Sequence, residues 1–358
     1  MASLNFGSSV SLKQAAKLIG TVKGNRFMLR SEPGIGKSSL MGTLAEMYPD
    51  YHLAYIDVPN MDLGDICMPV IDHETKTTKY YPNARFGIHT GKPSIIMLDE
   101  FSKGSPPVVN MLHPLLEAHN PRLGDLPLHP DSVVFLTGNL TTDGVGDNLK
   151  AHTLNRITPL VVRKPRFAEW AEWAIANGID PIVIAAARQF EGDWFASYLD
   201  YTADTVPKDF VAFNPRMPTQ SYVSGRSLER ASNIIIHRES FDSDSLIAAL
   251  SGTIGAKAAL DLSAYIAFAD QLPTWESIIK SPKTAVVPEG AGACALVAFN
   301  AIAKVDKETM TPFMEYIERF HVEFQSCFCI NMAKSPRQKI AFGCKAFSDW
   351  VAKNEDLL

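Results

Sequence analysis

The chain has little of what marks a special environment. Its five cysteines, Cys67, Cys294, Cys327, Cys329 and Cys344, are odd in number and widely scattered, which excludes a disulfide framework and favours a reducing compartment. No apolar run approaches the ~18 residues a membrane span needs. The richest stretch, Leu246 to Ala269, is broken by Lys257 and Asp261. The first ten residues, MASLNFGSSV, lack the basic start and apolar run of a signal peptide, so a cytoplasmic protein without membrane association is expected. Positive charge is in deficit: 34 Lys and Arg against 39 Asp and Glu give a net charge of -5. That excludes a broadly basic nucleic-acid coat. The nine histidines show no ligand spacing, and Cys327-Phe328-Cys329 near His321 lacks a second ligand pair, so no metal is expected there. There is no internal repeat and no low-complexity segment.

What the chain does have is core-forming material. Hydrophobic residues make up 46% of 358 and charged residues 20%, enough for two or three domains. In the first half, short β-like runs alternate with helical stretches. Arg26–Arg30, His52–Val58, Ser94–Leu98, Val133–Thr137 and Ile157–Val162 read as strands. Lys37–Met47 and Pro106–Ala118 read as helices, the second with Ser105 as N-cap and Pro106 at its first position. Strands alternating with helices predict a mostly parallel sheet covered on both faces. After Arg163 the character becomes helical, over Phe167–Asn177, Ser227–His237, Ser245–Ala269 and Met310–Ser326, with a Pro-rich loop over Val206–Pro218. Trp170 and Trp173 on one helix suit a core or an interface better than base stacking.

Between the first strand and its helix lies Ser31-Glu32-Pro33-Gly34-Ile35-Gly36-Lys37-Ser38-Ser39. It fits the phosphate-loop pattern G-x-x-x-x-G-K-[ST] at every fixed position except the first, where Ser31 replaces Gly. The pattern has a physical basis. Glycines let successive backbone N–H groups converge on phosphates, and the helix N-terminus adds its positive end. Lys37 would neutralise the β- and γ-phosphates, and Ser38 would offer a hydroxyl to magnesium. Glu32 to Ser39 are therefore assigned to nucleotide binding.

Ile95-Ile-Met-Leu98-Asp99-Glu100 is an apolar strand ending in adjacent carboxylates. Asp99 at such a strand end can hold magnesium, and Glu100 can polarise a water for attack on the γ-phosphate. This pair favours an ATP hydrolase over a small-molecule kinase. The next strand ends in Gly138-Asn139, where the amide could orient the attacking water or simply form a turn. Arg156, in Leu154-Asn155-Arg156, and Arg226, in Ser224-Gly-Arg-Ser-Leu-Glu-Arg230, receive no role from these considerations alone.

The ordered set of phosphate loop, Leu98-Asp99-Glu100, strand-end Asn139, Asn155-Arg156 and Gly225-Arg226-Ser227 resembles AAA+ ATPases of the MoxR branch. Asp62-Leu63-Gly64, Asp99 to Lys103 with Pro106-Pro107, and Leu115-Leu116-Glu117-Ala118 resemble segments of that branch. The resemblance spans about residues 10 to 240. It departs at Leu140 where Pro is usual, at Asn155 and Ile157 where D-R-F is usual, and at Lys103 where Arg is frequent.

The resemblance implies an ATPase using ATP and Mg2+, with Asn139 as sensor 1 and Arg226 as sensor 2. Arg156 would be the arginine finger reaching a neighbouring subunit's nucleotide, with Arg163 and Arg230 as substitutes for the finger and sensor 2. It implies a homo-oligomeric ring, a hexamer on the family's pattern. The client would be a protein, on the family's pattern a von Willebrand factor A-domain protein. The expected layout is an α/β nucleotide-binding domain over 1–165, a helical lid over 166–270 and a helical extension over 271–358. Inserts at about 61–86 and 121–130 read as hairpins; the resemblance places the first towards pore or client and likens the second to the hairpin before sensor 1. Two other functions stay open: an AAA+ motor or loader on nucleic acid, and an ATP-gated assembly scaffold with little turnover.

Overall fold

The five apolar runs of the first half become one parallel sheet. In this computed structural model, which describes residues 9–140, 149, 151–201, 205–269, 271–334 and 336–357, the chain divides into two compact units, residues 1–165 and 166–358. Residues 1–8, which carry most of the signal-peptide reading, lie outside the described residues.

The first unit opens with α1 (Leu12–Thr21), closed at its start by a capping box between Ser11 and Gln14. Strands β1 (Phe27–Ser31) and β2 (His52–Asp57) flank α2 (Leu40–Met47). A hairpin of β3 (Cys67–Asp72) and β4 (Thr77–Pro82) follows, then β5 (Ser94–Asp99) and α3 (Pro106–Leu112). A second, minimal hairpin pairs β6 (Arg122–Leu123) with β7 (Leu126–Pro127). The unit closes with β8 (Val133–Asn139), the short α4 (Ala151–Leu154) and β9 (Thr158–Val161).

The sheet order is β2-β5-β8-β1-β9, parallel throughout. Alternation along the strands sends successive side chains to opposite faces. Phe27, Leu29, Ile95, Met97, Val133 and Phe135 pack with Ala15, Ala16 and Ile19 of α1 and Leu40 and Leu44 of α2. Met28, Ile96, Leu98, Val134 and Leu136 pack on the other face with Val108 and Leu112 of α3. Burial on both faces is why β5 and β8 read as unbroken apolar runs.

The second unit is helical: α5 (Phe167–Ala176), α6 (Pro181–Gln189), α7 (Glu191–Trp194), α8 (Gly225–Ile235), α9 (Ser243–Ile254) and α10 (Ala256–Ala269) come first. Then follow α11 (Trp275–Lys280), α12 (Ala291–Lys304), α13 (Met310–Ile317), α14 (Val322–Met332), α15 (Gln338–Ala341) and α16 (Lys345–Lys353). Helices α6 and α12 are apolar nearly all round, pack on each other and form the centre of one core running from Phe167 to Trp350. The lid and the extension expected on either side of residue 270 therefore share this single unit.

Four helices expected from periodicity are shorter or broken. Lys37–Ser39 is a 3-10 turn before α2, and Pro106–Ala118 is α3 followed by a 3-10 turn over His113–Leu116. Ser245–Ala269 breaks between α9 and α10 at Gly255, whose φ of +88° no ordinary helix accepts. Met310–Ser326 breaks into α13 and α14, with His321 capping the second. Ser105 stands at the N-cap of α3, but its side chain makes no capping bond. Among the described residues, no helix is long and apolar enough to cross a membrane.

Candidate functional site

The phosphate loop leaves the C-terminal end of β1 and turns through two glycines in the left-handed region, Gly34 at φ +76° and Gly36 at φ +99°. A Cβ at either would strain the backbone, so both glycines are required by the turn itself. Lys37 follows at the start of the 3-10 turn. Its Nζ donates to Ser31 Oγ at 2.8 Å and reaches Glu32 O and Asn139 Oδ1 at 3.5 Å each. Parallel pairing of β1 with β8 sets Ser31 beside Asn139, which is why Lys37 meets a residue 102 positions away in sequence. Ser31 is fully buried, and its hydroxyl donates to Glu32 O at 2.8 Å while accepting from Lys37. The departure from glycine thus adds an acceptor for the lysine.

The two acids sit at the end of β5, which pairs with β8 on the side away from β1. Asp99 Oδ2 accepts from Tyr55 of β2 at 2.6 Å, and Asp99 Oδ1 accepts from Thr137 of β8. Glu100 lies at φ 49°, ψ 39°, a left-handed conformation for a residue with a side chain. Its N–H donates to Thr137 Oγ1 at 3.0 Å, and its carboxylate pairs with Lys103 Nζ at 2.7 Å. Asp99 has no ion-pair partner among the described residues.

Arg156, just after α4, is held within the first unit. Its Nε donates to Glu117 Oε1 at 2.8 Å and its Nη1 to His152 O at 2.7 Å. Arg163 Nη1 donates to Lys164 O at 3.2 Å.

Residues 26–156 match the family model of the AAA domain, dynein-related subfamily. This segment is an AAA domain. No curated protein matches the chain. Among solved structures, NtrX from Brucella abortus in complex with ADP is similar at 13% identity and TM-score 0.39, over 97% of this chain and 67% of that one. A RuvB variant from Thermotoga maritima is similar at 16% identity and TM-score 0.36, over 84% of this chain and 86% of that one.

Within the AAA domain, both expected inserts are hairpins, and they touch. Asp125, in the turn of the β6–β7 hairpin, donates its N–H to Tyr80 O at 2.9 Å and accepts the Tyr80 N–H on Oδ2 at 2.7 Å. The β3–β4 hairpin carries Met68, Val70, Ile71, Tyr80 and Tyr81 exposed to solvent. In the second unit, Arg226 and Arg230 are exposed on the first two turns of α8, whose N-cap Ser224 forms a capping box with Ser227. Arg226 has no hydrogen-bond or ion-pair partner among the described residues. A groove of about 340 Å³ between α5, α6, α12 and α14 is lined by Phe167, Glu172, Arg188, Phe299, Cys327 and Lys334. It belongs to the second unit and contains none of the candidate site residues.

The expectations gave no site role to Tyr55, Thr137, Lys103 or Glu117. A signal existed for two of them. Thr137 is two residues before Asn139, hence on the same face of the strand. Lys103 follows Glu100 by three, within reach across one tight turn.

The AAA domain's donor set suits a magnesium nucleotide. Asp99 is a carboxylate oriented by two hydroxyls and, among the described residues, without an ion-pair partner, and Ser38 is exposed at the loop's helical end. Among the described residues, no group of three or more His, Cys, Asp or Glu is placed to hold a metal. A magnesium bound here would draw its remaining ligands from phosphate oxygens and water, its usual preference.

Proposed function

We propose that the chain is an ATP-hydrolysing AAA+ protein of MoxR type, which works as a homo-oligomeric ring, a hexamer on the family's pattern, and remodels or activates a partner protein. One observation carries the reading. Lys37, on its glycine turn, meets Asn139, while Thr137 of the same strand ties in the Asp99–Glu100 strand end. That arrangement places a cation, a neutral amide and two acids around one strand edge, which is what phosphoryl transfer to water needs.

In this reading Glu32 to Ser39 wrap the phosphates with backbone N–H groups, and Lys37 neutralises their charge. Asp99 and Ser38 would hold Mg2+, which supplies Lewis-acid charge neutralisation at the phosphates when bound. Glu100 accepts a proton from the attacking water, and Asn139 orients that water. Arg156 acts on the nucleotide of a neighbouring subunit, and Arg226 from α8 acts as sensor 2. A protein client, a von Willebrand factor A-domain protein on the family's pattern, agrees with the net charge of -5 and with the exposed apolar β3–β4 hairpin.

The test pairs phosphate release with gel filtration, with and without ATP. The reading expects ATP-dependent growth in size and steady turnover that Glu100→Gln removes; a monomer with turnover unaffected by that change refutes it. One observation favours a second reading, an ATP-gated scaffold with little turnover: the Glu100 carboxylate is engaged by Lys103. Ordinary turnover in the assembled state removes that alternative.

A further inference from the structure

Thr137 is completely buried in β8, where a valine would fill the same space; packing alone does not ask for its hydroxyl. That hydroxyl makes two bonds at once. Its single proton goes to Asp99 Oδ1, and its oxygen accepts the N–H of Glu100 at 3.0 Å. The pairing of β5 with β8 brings Leu98 opposite Leu136, so the next residues along, Asp99 and Thr137, face each other at the strand ends.

The second bond reaches a residue whose backbone is strained. Glu100 sits at φ 49°, where residues with a Cβ are held only when their surroundings over-determine them. Two bonds fix it there: the Glu100 N–H to Thr137, and the Lys103 N–H to Glu100 O at 2.8 Å. The left-handed residue turns the chain sharply off the strand, so the Glu100 side chain leaves the strand's alternating pattern. Thr137 also lies two residues before Asn139 on one face of β8, and Asn139 meets Lys37. One hydroxyl therefore ties both acids to the strand that carries the amide.

We propose that Thr137 is a positioning residue for hydrolysis: its hydroxyl orients the Asp99 carboxylate and holds Glu100 in its left-handed conformation. The proposal rests on the ATPase reading given above. It separates two effects. Loss of the bond to Asp99 alters the response to Mg2+, whereas loss of the bond to Glu100 alters the chemical step. Neither touches the phosphate loop, so magnesium-free nucleotide binding is preserved.

The full-length chain with Thr137→Val, Thr137→Ser or no change is assayed for phosphate release against ATP and against Mg2+. Binding of a fluorescent ADP analogue without magnesium and thermal unfolding are measured alongside. Thr137→Val is expected to lower kcat on the order of tenfold to a hundredfold, the usual cost of losing a partner that orients a metal-site carboxylate, and to raise the Mg2+ needed for half-maximal activity. KM for ATP stays within about twofold, as it does when an interaction made only in the transition state is lost. Thr137→Ser, which keeps the hydroxyl, restores both kcat and the Mg2+ response.

Wild-type kcat and Mg2+ response in Thr137→Val overturn the proposal. So does a Thr137→Ser protein that is folded yet as impaired as the valine variant, since that assigns the role to the methyl group. The serine comparison stands even where the valine protein fails to fold. A wild-type protein that releases no phosphate removes the ATPase reading instead. The Mg2+ dependence of nucleotide affinity then decides whether Thr137 orients Asp99.

Discussion

Ser31 does at the head of the phosphate loop what glycine cannot: its buried hydroxyl accepts from Lys37 Nζ at 2.8 Å. A neutral acceptor of this kind contributes about 1 kcal/mol, so Ser31→Gly is expected to shift ATP affinity by less than about tenfold. Lys37→Ala removes the cation itself and is expected to abolish measurable binding; a fluorescent-nucleotide titration of both variants checks the order of the two effects. The cysteines give a second prediction at this scale. Burial pushes the Cys67 thiol up to about 11 and also raises Cys294, Cys327 and Cys329. A raised thiol pKa leaves little thiolate at pH 8, so alkylation by iodoacetamide at these four sites should wait for unfolding. Mass spectrometry showing rapid labelling of Cys67 in the native protein contradicts this. At the residue scale the acids, the lysine and the glycines were legible in the sequence because their motif spacing is fixed by the loop. Tyr55 was not, and for Thr137 only the strand face was, because a hydroxyl's partners depend on which strand lies next to it, and strand order is not written in local periodicity.

The hairpins decide the element scale. Gly124, in the β6–β7 turn, has φ +57°, and a Cβ there would lie 2.3 Å from Tyr80 O of the neighbouring hairpin. Gly124→Ala is expected to cost about 1–3 kcal/mol through backbone strain and displaced packing. Gly42→Ala carries the opposite sign: Gly42 lies inside α2 with nothing within 4 Å of an added Cβ, so it should stabilise by about 0.5–1 kcal/mol. Thermal unfolding of the two variants checks both signs. The two hairpins were legible separately from their turn residues, but the docking of Asp125 on Tyr80 was not, since it joins segments 45 residues apart. Helix breaks were lost for a related reason. Apolar spacing continues across Gly255, and only the left-handed backbone there, against Ser221 O, ends α9.

At the scale of the whole molecule, the second unit holds one core in which α6 and α12 pack together, although they belong to segments expected to be separate. Periodicity marks which helix faces are apolar but not which helix each face will meet, so the packing of α6 on α12 was not legible in it. With a net charge of -5, we expect DNA or RNA to leave ATP turnover unchanged at physiological salt; stimulation by either would point to a nucleic-acid motor. The account stands or falls on water activation by Glu100 at the end of β5. The direct measurement is steady-state phosphate release by the wild type and Glu100→Gln, with ATP binding measured on both. Removing a general base costs about 10²–10⁴-fold, so the variant should bind ATP as the wild type does and release almost no phosphate. Equal phosphate release from the two proteins would contradict the account.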